Sequence, residues 1–234
     1  MKGNFYKIDD PIFDQFPSFC RAVLLCRGID NRIDSNIDFS VLRSMMSVTL
    51  ESLTTSASIA AWRKAFREMH IDPTRERVSF EALSRRLLNG KPPKSINQLV
   101  DLGNYFSILY QCPVGIHPMG ELTEDIRLRP AVGDERFQAL DRDTPESPEP
   151  GEIILTSGDL VLTRRFCWRQ SRQSLVTSDC SDLFVNIDFM SPVVAQHIED
   201  ILDAFRSCIS EFSPRTQYSS FTLNYRTRTA RIQI

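Results

Sequence analysis

The stretch INQLVDLGNYFSILYQCPVGIH, residues 96–117, carries most of the information about the fold. Its apolar side chains recur every three or four residues, which predicts a helix over Ile96–Tyr110 that Pro113 ends. Gly103 lies on this helix, where a missing side chain lets another element approach closely. Asn104 is a poor residue for mid-helix, which favours a specific hydrogen bond, either to a neighbouring loop or to a ligand.

Upstream of this stretch, apolar periodicity predicts two further helices. One long helix is expected from Ser40 to about Met69, with Thr54-Thr55-Ser56 as a place where it could bend or break. A second helix is expected over Phe80–Leu88, with Ser79 as its N-cap.

Strands are predicted both before and after these helices. FCRAVLLC at 19–26 and LFVNIDF at 183–189 are typical of buried strands, and EIILTS and LVLTRRF, spanning 152–166, form a hairpin through a Gly-Asp turn. Helices followed by strands indicate an α+β class, with one mixed β-sheet covered by helices.

The C-terminal part adds a helix and a strand. Ser191-Pro192 is a suitable start for an amphipathic helix reaching Phe212, and alternation around residues 221–226 predicts a last strand. The Pro-rich segment 142–150 is expected to be a loop. Both sides of it are incomplete alone, so we expect a single domain over 1–234 with the segment 191–234 packed on it.

Composition excludes several classes of protein. With 41% hydrophobic and 25% charged residues the chain can bury a core, and no apolar run approaches the roughly 18 residues needed to span a bilayer. The N-terminus lacks a signal-peptide pattern, so a cytoplasmic protein is expected. Six cysteines form no CxxC pair and no metal spacing with histidine, so neither a metal nor a cofactor is predicted. The nucleotide-binding, zinc-protease and hydrolase motifs GxGxxG, GxxxxGK[ST], HExxH and GxSxG are absent.

Seven short blocks occur in a characteristic order. They are AWRKAF at 61–66, SFEALSRR at 79–86, INQLVDLGNYFS at 96–107, PVGIH at 113–117, GDE at 133–135, PGE at 150–152 and RRFCWRQ at 164–170. This order resembles the free-standing relatives of the B3/B4 domain, the aminoacyl-tRNA editing module of phenylalanyl-tRNA synthetase β subunits. The resemblance covers roughly residues 5–200, and it implies an α+β fold, binding of the tRNA acceptor end and hydrolysis of mischarged tRNA.

The resemblance also implies an amino-acid pocket, and at several pocket positions this chain has a different residue from the synthetase. Asn104 would meet the pocket, Gly103 takes the place of a threonine, and Gly115 takes the place of the pocket histidine. Arg164-Arg165 take the place of a small Ala-Gly pair that lines the pocket in the synthetase. Asn186 takes the place of a carboxylate that is suited to bind a tyrosine hydroxyl. Tyrosine specificity is therefore not expected by default.

Other residues keep two interpretations. His117 either polarises a water in the pocket or is a turn residue. Arg164 and Arg165 alternate across a strand, and the one that points inward binds either an anionic ligand or an acidic partner such as Asp134 or Glu135.

The neighbouring Trp168, Arg169 and Arg172 are candidates for tRNA binding, with Trp168 either stacking on a terminal base or anchoring the core. Three functions remain open: a trans-editing deacylase, a non-catalytic RNA-binding module, and a sensor of a small anionic ligand. The amino acid, the tRNA and the oligomeric state are not predicted.

Overall fold

The computed structural model describes residues 5–233 except 121, 123, 192–194 and 196. Helices α1 to α6 span Asp10–Gln15, Phe39–Met45, Ala57–Glu68, Ser79–Leu88, Gln98–Leu109 and Ile198–Phe212. Strands β1 to β10 span Phe5–Ile8, Cys20–Arg27, Val114–Pro118, Ile126–Pro130, Ile153–Ser157, Leu160–Arg164, Arg169–Gln170, Leu183–Phe189, Gln217–Leu223 and Thr229–Arg231. The α+β class predicted from the sequence is confirmed.

The described strands form two sheets, which corrects the expectation of one. Six strands follow the order β10-β1-β4-β5-β6-β7, and this sheet is mixed because β1 runs parallel to β4. The other sheet is antiparallel with the order β3-β8-β2-β9. The inner strands β2 and β8 are buried along nearly their whole length, which requires cover on both faces of that sheet.

The two faces of β2 belong to two different cores. Val23 and Leu25 point into a core shared with the six-stranded sheet and α3, whereas Ala22 and Leu24 pack under α5 and α6. This alternation follows from the two-residue period of a strand. Burial of each large apolar side chain contributes about 1.5–3 kcal/mol, so packing on both faces stabilises the four-stranded sheet.

Helix α5 confirms the prediction for residues 96–110 to within two residues at its start. The side chain of Asn97 caps it by accepting a hydrogen bond from the Val100 backbone N–H at 3.0 Å. At Gly103 a Cβ atom would lie only 2.9 Å from Cδ1 of Ile116 on β3. The glycine therefore allows α5 to lie against β3, the strand that forms one wall of the site.

The prediction of one helix from Ser40 to about Met69 is wrong in its extent, because the chain leaves α2 after Met45 and begins α3 only at Ala57. The predicted break at Thr54-Thr55-Ser56 is confirmed, since Ser56 is the N-cap of α3. Between α2 and α3, the hydroxyl groups of Thr49 and Ser52 accept hydrogen bonds from each other's backbone N–H. Such local bonds compete with helix formation.

Of two predicted helix starts, one is wrong by a single residue. Ser79 is the first residue of α4 rather than its N-cap, and the N-cap is Val78. The predicted start at Ser191-Pro192 falls partly outside the described residues, and the helix is described from Ile198 onward.

A strained turn joins β6 to β7. Arg165 and Phe166 both have left-handed backbone angles, with φ of 49° and 62°. For residues other than glycine this conformation costs about 1–3 kcal/mol and persists only when surrounding packing enforces it. The Phe166 ring is 1% exposed and meets Phe19 and Trp62 edge-on, with centroids 5.0 and 5.7 Å away. Aromatic packing therefore holds the turn that borders the site.

We expect Phe166→Ala to lower the free energy of unfolding by about 3–5 kcal/mol, because alanine leaves a cavity and keeps the backbone strain. Urea denaturation followed by circular dichroism measures the loss. Val132→Ala, at a side chain that is 71% exposed, is the control and should change stability by about 0.5 kcal/mol or less. Equal losses in the two variants would contradict this account of the turn.

Candidate functional site

A cavity of about 190 Å³ lies between the facing surfaces of the two sheets. Its walls come from β2, β3 and β8 on one side and from β5, β6 and the β6–β7 turn on the other, with α4 and α5 adding one side chain each. The volume is below the roughly 300 Å³ of a typical drug-sized pocket. The polar groups on its walls are Arg21, Asn104, His117, Thr163, Gln170, Asn186 and Asp188, with Ser79 at the start of α4.

An ion pair forms the base of the cavity. The Arg21 guanidinium donates to both Asp188 carboxylate oxygens at 2.6 Å, and these side chains are only 1% and 3% exposed. Burial alone would lower the pKa of Arg21, but the adjacent Asp188 carboxylate and Tyr6 hydroxyl raise it above its ordinary value. Arg21 also donates to the Tyr6 hydroxyl at 2.8 Å, and that hydroxyl donates to Oδ1 of Asn186 at 2.9 Å.

His117 is buried and neutral. Its ring stacks on Phe184 with centroids 5.0 Å apart, and Thr163 Oγ1 lies 3.5 Å from Nε2. Burial, assisted by the positive charge of Arg21, lowers the pKa of His117 to about 3. Gly115 makes room for this ring, since a Cβ at that position would lie 3.2 Å from Nε2 of His117.

Two amide groups on the cavity wall have unused hydrogen-bonding capacity. The side-chain amide of Asn104 makes no hydrogen bond to any described residue. The Asn186 carbonyl oxygen is occupied by Tyr6, but its amide nitrogen has no partner within the described part of the chain. Amide N–H groups can donate to the carbonyl, carboxylate or hydroxyl oxygen of a ligand.

The ionisable groups on the wall do not provide a strong nucleophile. Burial raises the pKa of the Cys167 thiol well above its ordinary value, so this cysteine stays protonated. Both oxygens of Asp188 are engaged by Arg21. The cavity is therefore better suited to bind and polarise a ligand than to form a covalent intermediate.

A wider groove of about 600 Å³ adjoins the cavity. Asn104, Val114 and Gln170 line both spaces. The groove is mostly apolar, and Ile96 and Leu140 on its wall are 68% and 53% exposed. The polar cavity thus adjoins an apolar surface that is open to solvent.

The structure brings four of the seven predicted pocket residues to the cavity: Asn104, Gly115, His117 and Asn186. Gly103 lies on the wall of the adjoining groove instead. The sequence did not single out Arg21 and Asp188, although each is a charged residue within a buried apolar strand, FCRAVLLC or LFVNIDF. A charged residue within an apolar strand could have indicated this ion pair from the sequence, because a buried charge requires a partner.

Arg164 and Arg165 are not among the cavity residues. Arg164 donates to both carboxylate oxygens of Glu152, at 2.7 and 2.6 Å, and to Glu146 at 2.9 Å. Arg165 pairs with Glu76. The acidic partners are therefore not Asp134 or Glu135, which the sequence suggested. Glu135 binds Arg129 and the backbone N–H groups of residues 132 and 133, and its pKa is lowered to about 2 even though burial opposes this.

The predicted tRNA-binding residues lie around the β6–β7 turn. Trp168 borders the cavity, and the guanidinium carbons of Arg165 and Arg169 lie 4.7 and 5.1 Å from its ring centroid. Arg169 pairs with Asp141 at 2.8 Å, and Arg172 pairs with Asp143 at 3.2 Å. Trp168 is therefore already in contact with cations and also packs against the core.

The fold and the cavity define an α+β domain with an internal polar site. The sequence model of the B3/4 domain family matches residues 61–215, about two thirds of the chain, and the chain belongs to this family.

No curated protein matches the chain. Among solved structures, an N-terminal fragment of the phenylalanyl-tRNA synthetase β subunit from Pyrococcus horikoshii is similar at 11% identity, with a TM-score of 0.45. The alignment covers 93% of this chain and 53% of that fragment, so the chain spans about half of its length.

The described residues contain no group of His, Cys, Asp and Glu side chains that could hold a metal ion. None of the helices that the structure describes is long and apolar enough to cross a membrane.

We expect Asp188→Asn to lower the free energy of unfolding by about 3–5 kcal/mol, because it leaves the buried Arg21 charge without a counter-ion. Replacing both partners, as Arg21→Met with Asp188→Leu, should recover most of this loss. Urea denaturation measures both, and Glu68→Gln in the exposed pair with Lys64 is the control, with an expected change of about 0.5 kcal/mol or less. A double variant no more stable than the single one would contradict the role of the pair.

His117 should make stability depend on pH. The unfolded chain protonates this residue near its ordinary pKa of 6.5, whereas the folded protein keeps it neutral down to about pH 3. Its contribution to stability therefore falls as the pH drops below about 6.5. Wild type should lose about 2 kcal/mol more than His117→Gln between pH 7 and pH 5. His197→Gln, at an exposed histidine, should follow wild type, and parallel curves for all three proteins would show that His117 titrates normally.

Proposed function

We propose that this protein binds the aminoacylated 3′ end of a tRNA, holds the amino acid in the cavity between the two sheets and hydrolyses the ester. The observation that carries the proposal is a pair of amide N–H donors on the wall of that cavity, those of Asn104 and Asn186, which have no hydrogen-bond partner among the described residues. Membership of the B3/4 domain family and the ordered sequence blocks are consistent with it.

The cavity favours a small amino acid. Its volume of about 190 Å³ is partly set by the His117 ring, which fills the space beside Gly115. Asn186 is neutral and offers an N–H donor, and Asp188, the carboxylate among the described residues of the wall, is bound by Arg21 and does not accept from a ligand hydroxyl. We therefore propose a substrate whose side chain accepts a hydrogen bond, and not tyrosine by default.

The proposed reaction uses water. Water adds to the ester carbonyl carbon, the carbonyl oxygen becomes negatively charged, and the amide N–H of Asn104 donates to it. The bond to the ribose oxygen then breaks, the ribose oxygen takes up a proton, and the free amino acid leaves as a carboxylate with release of the second proton. The neighbouring ribose hydroxyl assists the proton transfer, which fits a wall without a strong base.

The same lack of a strong base favours a second candidate, an RNA-binding module without hydrolysis. His117 is held neutral with its pKa near 3, and Cys167 is held as a thiol. The third alternative, a sensor of a small anionic ligand, depended on Arg164 and Arg165, and both guanidinium groups pair with glutamates. The first two candidates differ in one measurable property, the rate of deacylation.

The test is a deacylation assay with a panel of mischarged tRNAs. We expect wild type to hydrolyse at least one of them, and Asn104→Ala to lower the rate by about 10²–10³-fold because it removes an oxyanion donor. Gln217→Ala removes an amide from an exposed side chain outside the cavity and is the matched control, with an unchanged rate. Ordinary tRNA binding with no hydrolysis of any panel member would overturn the hydrolase proposal in favour of the binding module.

A further inference from the structure

The positive charge of this chain is concentrated in one segment. Residues 63–94 contain nine lysines and arginines against four aspartates and glutamates, although the whole chain has a net charge of −2. The segment includes α4 and the loop that follows it. The remainder of the molecule is therefore acidic, and a polyanion approaching it is attracted to this segment.

Within the segment, a wide, open depression lies along α4. Its walls carry the cations Arg77, Arg85, Arg86 and Lys91, together with Ala82 and Asn89, and no carboxylate from the part of the chain that the structure describes. We call these four cations the α4 basic surface. None of the large exposed apolar side chains of the described residues contributes to the depression. A membrane-binding helix would present such side chains beside its cations, so the surface fits a hydrophilic polyanion.

The acidic residue nearest to this surface is buried beneath it. The Glu81 side chain is 0% exposed, and its carboxylate accepts hydrogen bonds from Arg63 at 2.9 and 2.7 Å and from Arg85 at 2.8 Å. A nitrogen of Arg77 lies 4.0 Å away. One carboxylate thus holds several guanidinium groups in place while neutralising only one charge. Arg86 and Lys91 form no ion pair within the described residues.

Helix α4 also connects this surface to the cavity. Ser79, its first residue, borders the cavity, whereas Arg86 lies seven residues further along the same helix. At 1.5 Å per residue, the two Cα positions are about 10 Å apart along the helix axis. That is the length of roughly three stacked nucleotides at about 3.4 Å each.

We propose that the α4 basic surface binds the phosphates of the RNA strand that leads to the aminoacylated 3′ nucleotide in the cavity. The inference rests on the proposed function for the choice of RNA, while the position of the surface comes from its own charges. The ligand contacted is the sugar-phosphate backbone, so this surface supplies affinity without reading the base sequence. Base-independent binding would let one cavity receive several tRNAs that carry the same amino acid.

The experiment measures binding of unfractionated deacylated tRNA by fluorescence anisotropy over a range of salt concentrations. Arg86→Gln with Lys91→Gln removes two charges that the Glu81 network does not use. We expect affinity to fall about tenfold near 0.1 M salt, and the slope of log K against log salt to become shallower by about 1.4. The variant Arg86→Lys with Lys91→Arg keeps both charges and should bind as wild type does. Arg215→Gln with Arg226→Gln, at exposed arginines outside the depression, is the matched control and should also leave binding unchanged.

The outcomes separate this inference from the proposed function, because deacylated tRNA tests binding without hydrolysis. If the Arg86/Lys91 variant has a shallower salt slope but the protein hydrolyses no mischarged tRNA, the role of the α4 basic surface is supported and the deacylase proposal is overturned. If the protein hydrolyses mischarged tRNA but the Arg86/Lys91 variant has an unchanged salt slope, RNA binding by the α4 basic surface is overturned and the deacylase proposal is retained. Displacement of the tRNA by polyglutamate of equal charge would overturn the assignment to RNA, and so would a wild-type protein that binds no tRNA.

Discussion

Arg21 and Asp188 are direct cross-strand partners on β2 and β8, and each neutralises the other's charge at a position where both side chains are almost fully buried. A shift of one residue between these strands would turn Arg21 toward the wrong core and leave two buried charges unpaired. Such a shift costs far more than a lost apolar contact. The ion pair therefore fixes the register of the two inner strands of the four-stranded sheet.

The site follows from that register. Asn186 and Phe184 lie two and four residues before Asp188 on β8, so all three face the space between the sheets. The same pairing places Gly115 opposite Asn186 and His117 opposite Phe184 on β3. The cavity is thus a consequence of cross-strand positions set by one ion pair, and its small size results from the stacking of the His117 ring on Phe184 and over Gly115.

Local patterns predicted the helices α4, α5 and α6 and the strands β2, β5, β6, β8 and β9, but not the short elements α1, β1, β3, β4, β7 and β10, nor most of the strand pairings. Periodicity predicted α5, the β5–β6 hairpin and the strand β8, because each depends on neighbouring residues alone. The division into two sheets depends on pairings such as β1 with β10, which join the two ends of the chain. Likewise Asn104 and Asn186 could be predicted from a family resemblance, whereas the partner of Arg164, Glu152, lies on another segment of the chain. Partners distant in sequence leave no periodic signal.

The two groups of arginines show why counting charges is a poor guide to function in this protein. Arg164 and Arg165 are adjacent cations that the sequence indicates as ligand-binding candidates, yet they pair with glutamates near their own turn, and Arg164 is 7% exposed. At α4 the acidic partner is Glu81, which is inside the fold and is shared by several arginines. Arg164 and Arg165 share three glutamates, Glu76, Glu146 and Glu152, and both arginine side chains are largely buried, so little of their charge reaches a ligand. At α4 one buried carboxylate serves Arg63 and Arg85, while Arg86 and Lys91 form no ion pair within the described residues, so most of the positive charge stays available. The number of carboxylates beside the arginines, together with the exposure of the cations, therefore determines which face of this molecule attracts a polyanion.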